Sequence, residues 1–503
     1  MKQYVLAIDQ GTTSSRAIIF NKKSEIVAMS QMEFSQICPN NGWVEHNPEE
    51  IWKNTSFVIS DALEKAGLLG EDISAVGITN QRETIIPFDR NTGKSYHNAI
   101  VWQDLRGEDF INKLESKIPE SIIREKTGLL YSPYFSASKI RWLLDNVSIV
   151  KKKVKTGECV FGTIDTYLTY KLTGGKSYVT DVTNASRYML MNIQSLEWDE
   201  DMLSLFDIKK ESLPKIVPSS GLVYGYTELD GPFKAEIPVC GILGDQQAAL
   251  FGQACYLPGE SKCTYGTGCF MLANTGEKLC YSEHGLLSTV AYQIEGEKPV
   301  YALEGSVAVA GSLVQWTRDS LKMVSSAKEL DELASSVPDS GGVYIVPAFA
   351  GLFAPYWRSD ARGVIAGLTG FATRAHICRA VLEATAFQAN DIFTVMEMDS
   401  GIKINCLKVD GGMTNSAPLM AFQSDILSLP VIRPMIVETT ALGAAYAAGL
   451  TSGVWKDISS LKSYWKEQLR WTPTMDDKER EKRVRFWKKA VSRTLDWETG
   501  KEE

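Results

Sequence analysis

The segment "DQGTTSSR", residues 9–16, places an acid, a glycine, a run of hydroxyl residues and an arginine between two apolar runs. A tight hairpin needs only a pair of residues with permissive backbone angles, so this turn carries more hydrogen-bonding capacity than closure requires. Backbone N–H groups around Gly11, with the hydroxyls of Thr12, Thr13 and Ser14, can wrap an anion such as phosphate. Asp9 at the strand end can face a divalent cation, and Arg16 adds a forked cationic donor. Taken alone, the same residues also make an ordinary turn.

The elements that must position this turn are legible on either side. Strands are expected at 4–8, 15–20 and 26–34, then a helix in "HNPEEIWKNTSFVISDALEKAG", with Asn47 as N-cap, Pro48 at the first position, Glu50 three after the cap and Gly67 at the end. A strand follows at 73–79. Near mid-chain, "IPVCGILGDQQAALFGQ" reads as strand, glycine turn and helix, and "SKCTYGTGCFMLANTG" repeats the opening theme of strand, small turn and strand. Later, "CLKVDGGMTNSAPLMAFQSDI" runs from a buried strand through a double glycine, which lets backbone approach a ligand, into a helix from about residue 416. The echo at half the chain implies two domains, 1–254 and 255–503, each offering a turn to a shared cleft. The segment from Asp476 sets Val484, Trp487, Val491 and Leu495 on one helical face, which suits a packed terminal helix more than a membrane or partner site. Lys151, Lys152 and Lys153 read as a solvated loop.

At 503 residues the chain exceeds what one core usually supports. A net charge of −8 argues against nucleic acid as a partner and leaves small molecules. The opening residues lack a signal-peptide pattern, no apolar run reaches membrane-spanning length, and nine cysteines show no CxxC pair. A cytoplasmic protein with reduced thiols is the expectation.

The turns "DQGTTSSR" and "YGTGCF", followed by "VDGG", resemble the actin, Hsp70 and sugar-kinase superfamily, in which ATP lies between two ribonuclease-H-like α/β domains flanking a deep cleft. "YFSASKIRWLLDN" (134–146) and "GVIAGLTGFATRAHICRAVLE" (363–383) are similar to the two signatures of the FGGY carbohydrate kinases. "GWVEHNPEEIW", "GITNQRET", "NAIVWQD", "DVTNASR", "GDQQAALFGQ" and "ETTALGAAYAAG" resemble, within that family, the members that phosphorylate glycerol.

The resemblance implies transfer of the ATP γ-phosphoryl group to glycerol, giving sn-glycerol 3-phosphate, with Mg²⁺ and closure of the two domains. It implies Asp245 as general base, although the residues alone favour an N-cap for the helix behind it; the two roles are compatible. Arg82, Glu83, Tyr134, Asp245 and Gln246 are implied to hold the glycerol hydroxyls. Trp102 and Phe270 are implied to wall its carbons, although either reads equally as a core aromatic. Neighbouring strand residues point to opposite faces, so Arg82 and Glu83 can share a ligand only at a strand end or bulge. Thr12, Thr13, Ser14, Arg16, Gly266 and Thr267 are implied to meet the nucleotide phosphates, with Asp9 and Asp245 facing the metal. Gly311, Gln315, Gly411 and Gly412 match positions lining the nucleotide. The family's adenine-contacting asparagine falls at Ser416, with Asn415 just before it, so either residue is open for that contact. The four histidines, His46, His97, His284 and His376, match no phosphotransfer site, and "ELDGPFKAEIP" lacks the glycine-rich arginine loop of relatives inhibited by fructose 1,6-bisphosphate. A homodimer, or a dimer in equilibrium with a tetramer, is implied. The rival readings are another FGGY kinase acting on a pentulose or aldonate, and an actin- or Hsp70-like binding protein that would need no substrate base.

Overall fold

The structure, a computed structural model, describes residues 3–498. The opening residues form β1 (Tyr4–Gln10), β2 (Ser14–Asn21) and β3 (Ile26–Glu33), an antiparallel meander, followed by α1 (Pro48–Ala66) and β4 (Ile73–Asn80), which returns parallel to β1. Asn47 caps α1 by accepting from the Glu49 N–H, and Gly67 ends it in the left-handed conformation. The capping box is not completed: Glu50 turns instead to the backbone and hydroxyl of Ser35, both at 3.2 Å. Two further strands, β5 (Gly225–Tyr226) and β6 (Pro238–Gly244), complete a six-stranded sheet in the order β5-β6-β4-β1-β2-β3.

The second sheet repeats that plan. It contains β7 (Ser261–Tyr265), β8 (Cys269–Gly276), β9 (Leu287–Tyr292), β10 (Val300–Val307), β11 (Leu407–Asp410), β12 (Val431–Pro434) and β13 (Glu467–Trp471). Its order is β9-β10-β8-β7-β11-β12-β13. In both sheets a hairpin and its antiparallel neighbour lie on one side, with two parallel strands and an antiparallel edge strand on the other. The turns between β1 and β2 and between β7 and β8 are therefore topological equivalents. Between β4 and β5 the chain builds a largely helical unit with its own core, including α2 (Ser136–Asn146).

Helix α3 (Asp245–Gly252) leads from the first sheet into the second. The second lobe adds α4 (Gly311–Asp319), α5 (Arg374–Ser400) and α6 (Ala417–Leu427), the last capped by Ser416. Helix α7 (Thr439–Ser452) then crosses back over the first sheet, where Ala441, Ala444, Ala445 and Ala448 share a core with Val5, Ala7, Ile18 and Leu243. Only small residues permit this approach: a Cβ on Gly443 would stand 1.9 Å from the Ala248 carbonyl oxygen, and one on Gly252 would stand 2.0 Å from that of Thr439. The terminal helix α8 (Asp477–Val491) packs as expected, with Trp487 buried and stacked on Phe387 at 5.1 Å. Lys151, Lys152 and Lys153 differ from expectation. They ride a short helix, Ser148–Lys155, because Val150 and Val154, four apart, bury its inner face.

Candidate active site

Strand β4 ends at Asn80, and the chain then turns sharply enough to bring neighbouring side chains together. Glu83 adopts φ 59°, a left-handed conformation rare for a residue with a side chain, and the Thr84 N–H donates to the Arg82 carbonyl at 2.7 Å. Arg82 Nε and Glu83 Oε1 consequently lie 4.0 Å apart. The strand-end exception that the sequence demanded is met by this one backbone angle.

Arg82 is the hub of the site. Its Nη1 and Nη2 donate to Glu304 on β10 at 2.6 and 2.9 Å, its Nη1 also to Gln247 at 3.2 Å, and its Nε stands 3.1 Å from Asp245 Oδ1. Arg187 donates to Glu83 Oε1 at 2.5 Å and lies 3.3 Å from Glu304. Burial would raise the Glu304 carboxyl, but Arg187 and Arg82 outweigh it and hold it down to about 2. Glu83 shifts the other way: burial pushes it up against the pull of Arg187 and Arg82.

Asp245 opens α3, but Gly244 occupies the N-cap position and Asp245 is the first helical residue. Its Oδ1 accepts from the Gln246 N–H at 2.7 Å and faces Arg82, while Oδ2 has no hydrogen-bond partner among the described residues. Its side chain stays 32% exposed, in contrast to the 2% of Arg82. Glu83 Oε2 is likewise without a partner among the described residues. Three aromatic rings join this cluster through Arg187, whose guanidinium lies 5.4 Å from the Tyr134 ring centroid. Trp102 meets Tyr134 edge-on at 5.5 Å and Phe270 at 6.4 Å, and its indole donates to Thr12 Oγ1 at 2.9 Å. The aromatic wall thus joins the helical unit, the first hairpin turn and the second sheet. Burial pushes the Tyr134 hydroxyl well up, which keeps it a neutral donor.

The two hairpin turns present their backbone differently. In the first, Gly11 N–H closes onto Ser14, and Thr13 is exposed, but Ser14 is buried and its hydroxyl meets Gln31 of β3. Arg16 is held between Asp9 and Glu438, each at 2.8 Å. In the second, the carbonyls of Gly266 and Thr267 receive the N–H groups of Gly311 and Ala310, both at 3.0 Å, so α4 begins directly behind the turn. Gly411, at φ 89°, has no room for a side chain, since a Cβ would stand 2.4 Å from the Tyr265 carbonyl oxygen. Gln315 is exposed on α4. Asn415 is exposed beside Arg433, which donates to its amide oxygen at 2.8 Å. Ser416 is turned away, donating to Asp331 at 2.8 Å and capping α6.

Four residues of this site carry no role in the sequence reading: Glu304, Arg187, Lys262 and Glu438. The available signal was a lone charge inside an apolar strand, as in "YALEGSV" and "SKCTY".

Two lobes of similar strand plan, each with a hairpin turn of small residues, and a half-buried carboxylate held by a buried arginine define an actin-like ATPase fold equipped as a phosphotransferase. The chain belongs to the FGGY family of carbohydrate kinases: the family's N-terminal domain matches residues 4–252 and its C-terminal domain residues 261–452. It is 54% identical over 500 residues to a glycerol kinase of Paenarthrobacter aurescens, an alignment covering 99% of each chain. A crystal structure of Plasmodium falciparum glycerol kinase with ADP superposes with a TM-score of 0.92 at 41% identity, covering 98% of both chains. A xylulose kinase of Lactobacillus acidophilus shares the fold at a TM-score of 0.85 and 21% identity, covering 98% of this chain and 96% of its own.

Proposed function

We infer that the chain transfers the γ-phosphoryl group of ATP to a terminal hydroxyl of glycerol, releasing ADP and sn-glycerol 3-phosphate. The observation that carries this reading is the setting of Asp245. One oxygen is fixed by Arg82 and the Gln246 N–H, and the other has no partner among the described residues and so is available to an acceptor hydroxyl. Full-length similarity to glycerol kinases supports the choice of acceptor.

Phosphoryl transfer passes through a loose, nearly in-line transition state, so the protein's main tasks are positioning and charge neutralisation. Asp245 Oδ2 receives the hydroxyl hydrogen and aims the oxygen at phosphorus, accepting the proton late in transfer. Glu83 Oε2 accepts from a second hydroxyl. Arg82, Tyr134 and Gln246 supply donors, and Trp102 and Phe270 cover the carbons. An acceptor lacking one hydroxyl leaves a buried group unpaired, which is the physical basis for discrimination against smaller alcohols.

The nucleotide side is assigned to Thr12, Thr13, Ser14, Arg16, Gly266 and Thr267 for phosphates and to Gly311, Gln315, Gly411, Gly412 and Asn415 for the nucleoside. Asp9 suits a cation through Oδ1, which has no hydrogen-bond partner among the described residues; Oδ2 is paired with Arg16 at 2.8 Å, the residue is 3% exposed, and burial raises its carboxyl, helped by Glu438 and Asp245 and opposed by Arg16. Among the described residues no cluster of three or more metal-binding side chains forms a cage. That suits Mg²⁺, which keeps waters and substrate phosphates among its ligands, with Asp9 and Asp245 as the protein's contribution. When bound, Mg²⁺ neutralises charge on the transferred phosphate.

No helix is long and apolar enough to cross a membrane among the described residues. Nine unpaired cysteines support a reducing, cytoplasmic setting. Exposed Phe349, Phe353, Trp357, Leu368 and Phe371 support a homodimer.

The test is an ADP-release assay with Mg·ATP across glycerol, dihydroxyacetone, xylulose, ribulose, gluconate and no acceptor. Glycerol-dependent turnover with glycerol 3-phosphate as product is expected, falling about 10²- to 10⁴-fold in Asp245→Asn with both ligands still bound. Turnover on a sugar would overturn the acceptor assignment. ATP loss without an acceptor would point to an ATPase.

A further inference from the structure

Lys262 is a charged side chain with no role in the chemistry above, yet it is 0% exposed on β7, the central strand of the second sheet. Its ammonium donates to Gln246 Oε1 at 2.5 Å and to Thr264 Oγ1 at 3.0 Å. It forms no ion pair among the described residues. Asp410, Asp245 and Glu304 act on it only at longer range, and burial lowers its pKa. An unpaired ammonium in a protein interior is costly, and an apolar side chain of the same length would pack there without that penalty.

What the ammonium does to Gln246 follows from donor inventory. An ammonium has three N–H groups and no acceptor, whereas a glutamine amide carries an acceptor at one end and two donors at the other. With Oε1 turned to Lys262, the amide cannot rotate by half a turn without setting N–H against N–H. Nε2 is left without a partner among the described residues, in a side chain that is 8% exposed. Gln246 therefore has only donors left to offer a ligand.

We propose that Lys262 is a positioning residue that locks the Gln246 amide, so that its Nε2 donates to a hydroxyl oxygen of the acceptor. The donor at Gln246 complements the free acceptors at Asp245 Oδ2 and Glu83 Oε2, and the three together define the hydrogen-bond polarity of the site. The lock comes from the opposite lobe: Lys262 lies on the strand that runs into the Gly266 turn, and Gln246 lies on α3. This inference rests on the placement of the acceptor given above.

A double-mutant cycle in steady-state kinetics tests it, using Lys262→Met, Gln246→Leu and the double variant. Lys262→Met is expected to raise the glycerol KM about tenfold, the equivalent of one lost hydrogen bond, with kcat and the ATP KM within about twofold of wild type. In the Gln246→Leu background the same change is expected to add nothing, because Lys262 acts through that amide. A glycerol KM unchanged by Lys262→Met, or additive effects of the two changes, overturns the proposal. So does a loss confined to kcat or to ATP binding, which would place Lys262 at the phosphates. If Gln246→Leu alone leaves the glycerol KM unchanged, the acceptor placement itself fails, a result distinct from failure of the lock. Should Lys262→Met not fold, Lys262→Gln substitutes for it. Its amide can hold Gln246 in either orientation, a smaller rise of about threefold is expected, and no rise overturns the proposal.

Discussion

Glu304 clasps Arg82 across the two lobes, its carboxylate oxygens receiving Nη1 and Nη2 at 2.6 and 2.9 Å. The two residues are far apart in sequence and belong to different lobes, so this charged cluster is complete only when both lobes are in place. Glu304→Gln would leave Arg82 and Arg187 as buried charges facing a neutral amide. A loss of about 3 kcal/mol in stability is expected. With Arg82 no longer fixed, kcat/KM for glycerol is expected to fall about 100-fold while the ATP KM holds. Denaturant titration and steady-state kinetics check the two halves, and an unchanged kcat/KM would show that Arg82 needs no partner.

Asn415 and Ser416 separate cleanly in the structure. Ser416 is buried and spends its hydroxyl on Asp331 and on the first turn of α6, whereas Asn415 is exposed, with its amide oxygen held by Arg433 and its Nδ2 donating to the Gly412 carbonyl at 3.1 Å. Ser416→Ala is therefore expected to cost about 1 kcal/mol of stability through the lost cap and to leave the ATP KM unchanged. Asn415→Ala is expected to raise the ATP KM by about tenfold, the value of one hydrogen bond. The reverse pattern would assign the adenine contact to Ser416.

His46 links acid pH to the first hairpin turn. Its Nε2 faces Gln36 Oε1 at 2.9 Å and its Nδ1 faces Gln81 Nε2 at 3.4 Å, so the neutral ring carries its hydrogen on Nε2. Gln81 in turn donates to the Gly11 carbonyl at 3.0 Å. Burial lowers His46 from 6.5 to about 4. The fold therefore favours the neutral ring, and its contribution to stability is complete above pH 6.5 and lost as pH falls towards 4. Wild type is expected to lose about 3 kcal/mol more than His46→Gln between pH 7 and pH 4 by chemical denaturation. Parallel pH dependences would refute the assignment.

The sequence revealed what was local. The hairpin turns, α1 with its Asn47 cap and Gly67 stop, and the double-glycine turn before α6 each follow from a few adjacent residues. The resemblance of short motifs then brought Arg82, Glu83, Trp102, Tyr134, Asp245 and Gln246 to one place. Three features stayed hidden for physical reasons. The φ of Glu83 has no residue signature, because glycine is the usual marker of that conformation. Glu304 and Lys262 sit in apolar strands, where alternation alone would give a charged side chain to solvent. Arg16 reads as a phosphate ligand from its spacing, but its hold on Glu438 depends on α7 crossing back over the first sheet. Strand periodicity reports faces, and it does not report which distant face lies opposite.

The crossing of α3 and α7 sets the register between the lobes. Gly443 lies against Ala248 and Gly252 against Thr439, so the two helices touch backbone to backbone. Helix α3 carries Asp245 and Gln246, and α7 begins directly after Glu438, the partner of Arg16. A side chain at 443 must push the helices apart, and the push is delivered to both halves of the site. Gly443→Val is expected to cost about 3 kcal/mol through overpacking. A displacement of Asp245 by about 1 Å would lower kcat about 100-fold with the aromatic wall intact. If domain closure pivots on this crossing, small-angle scattering with glycerol and a non-hydrolysable ATP analogue should show compaction in wild type and less in Gly443→Val. Equal compaction in both would place the pivot elsewhere, and unchanged scattering in wild type would remove closure from the mechanism.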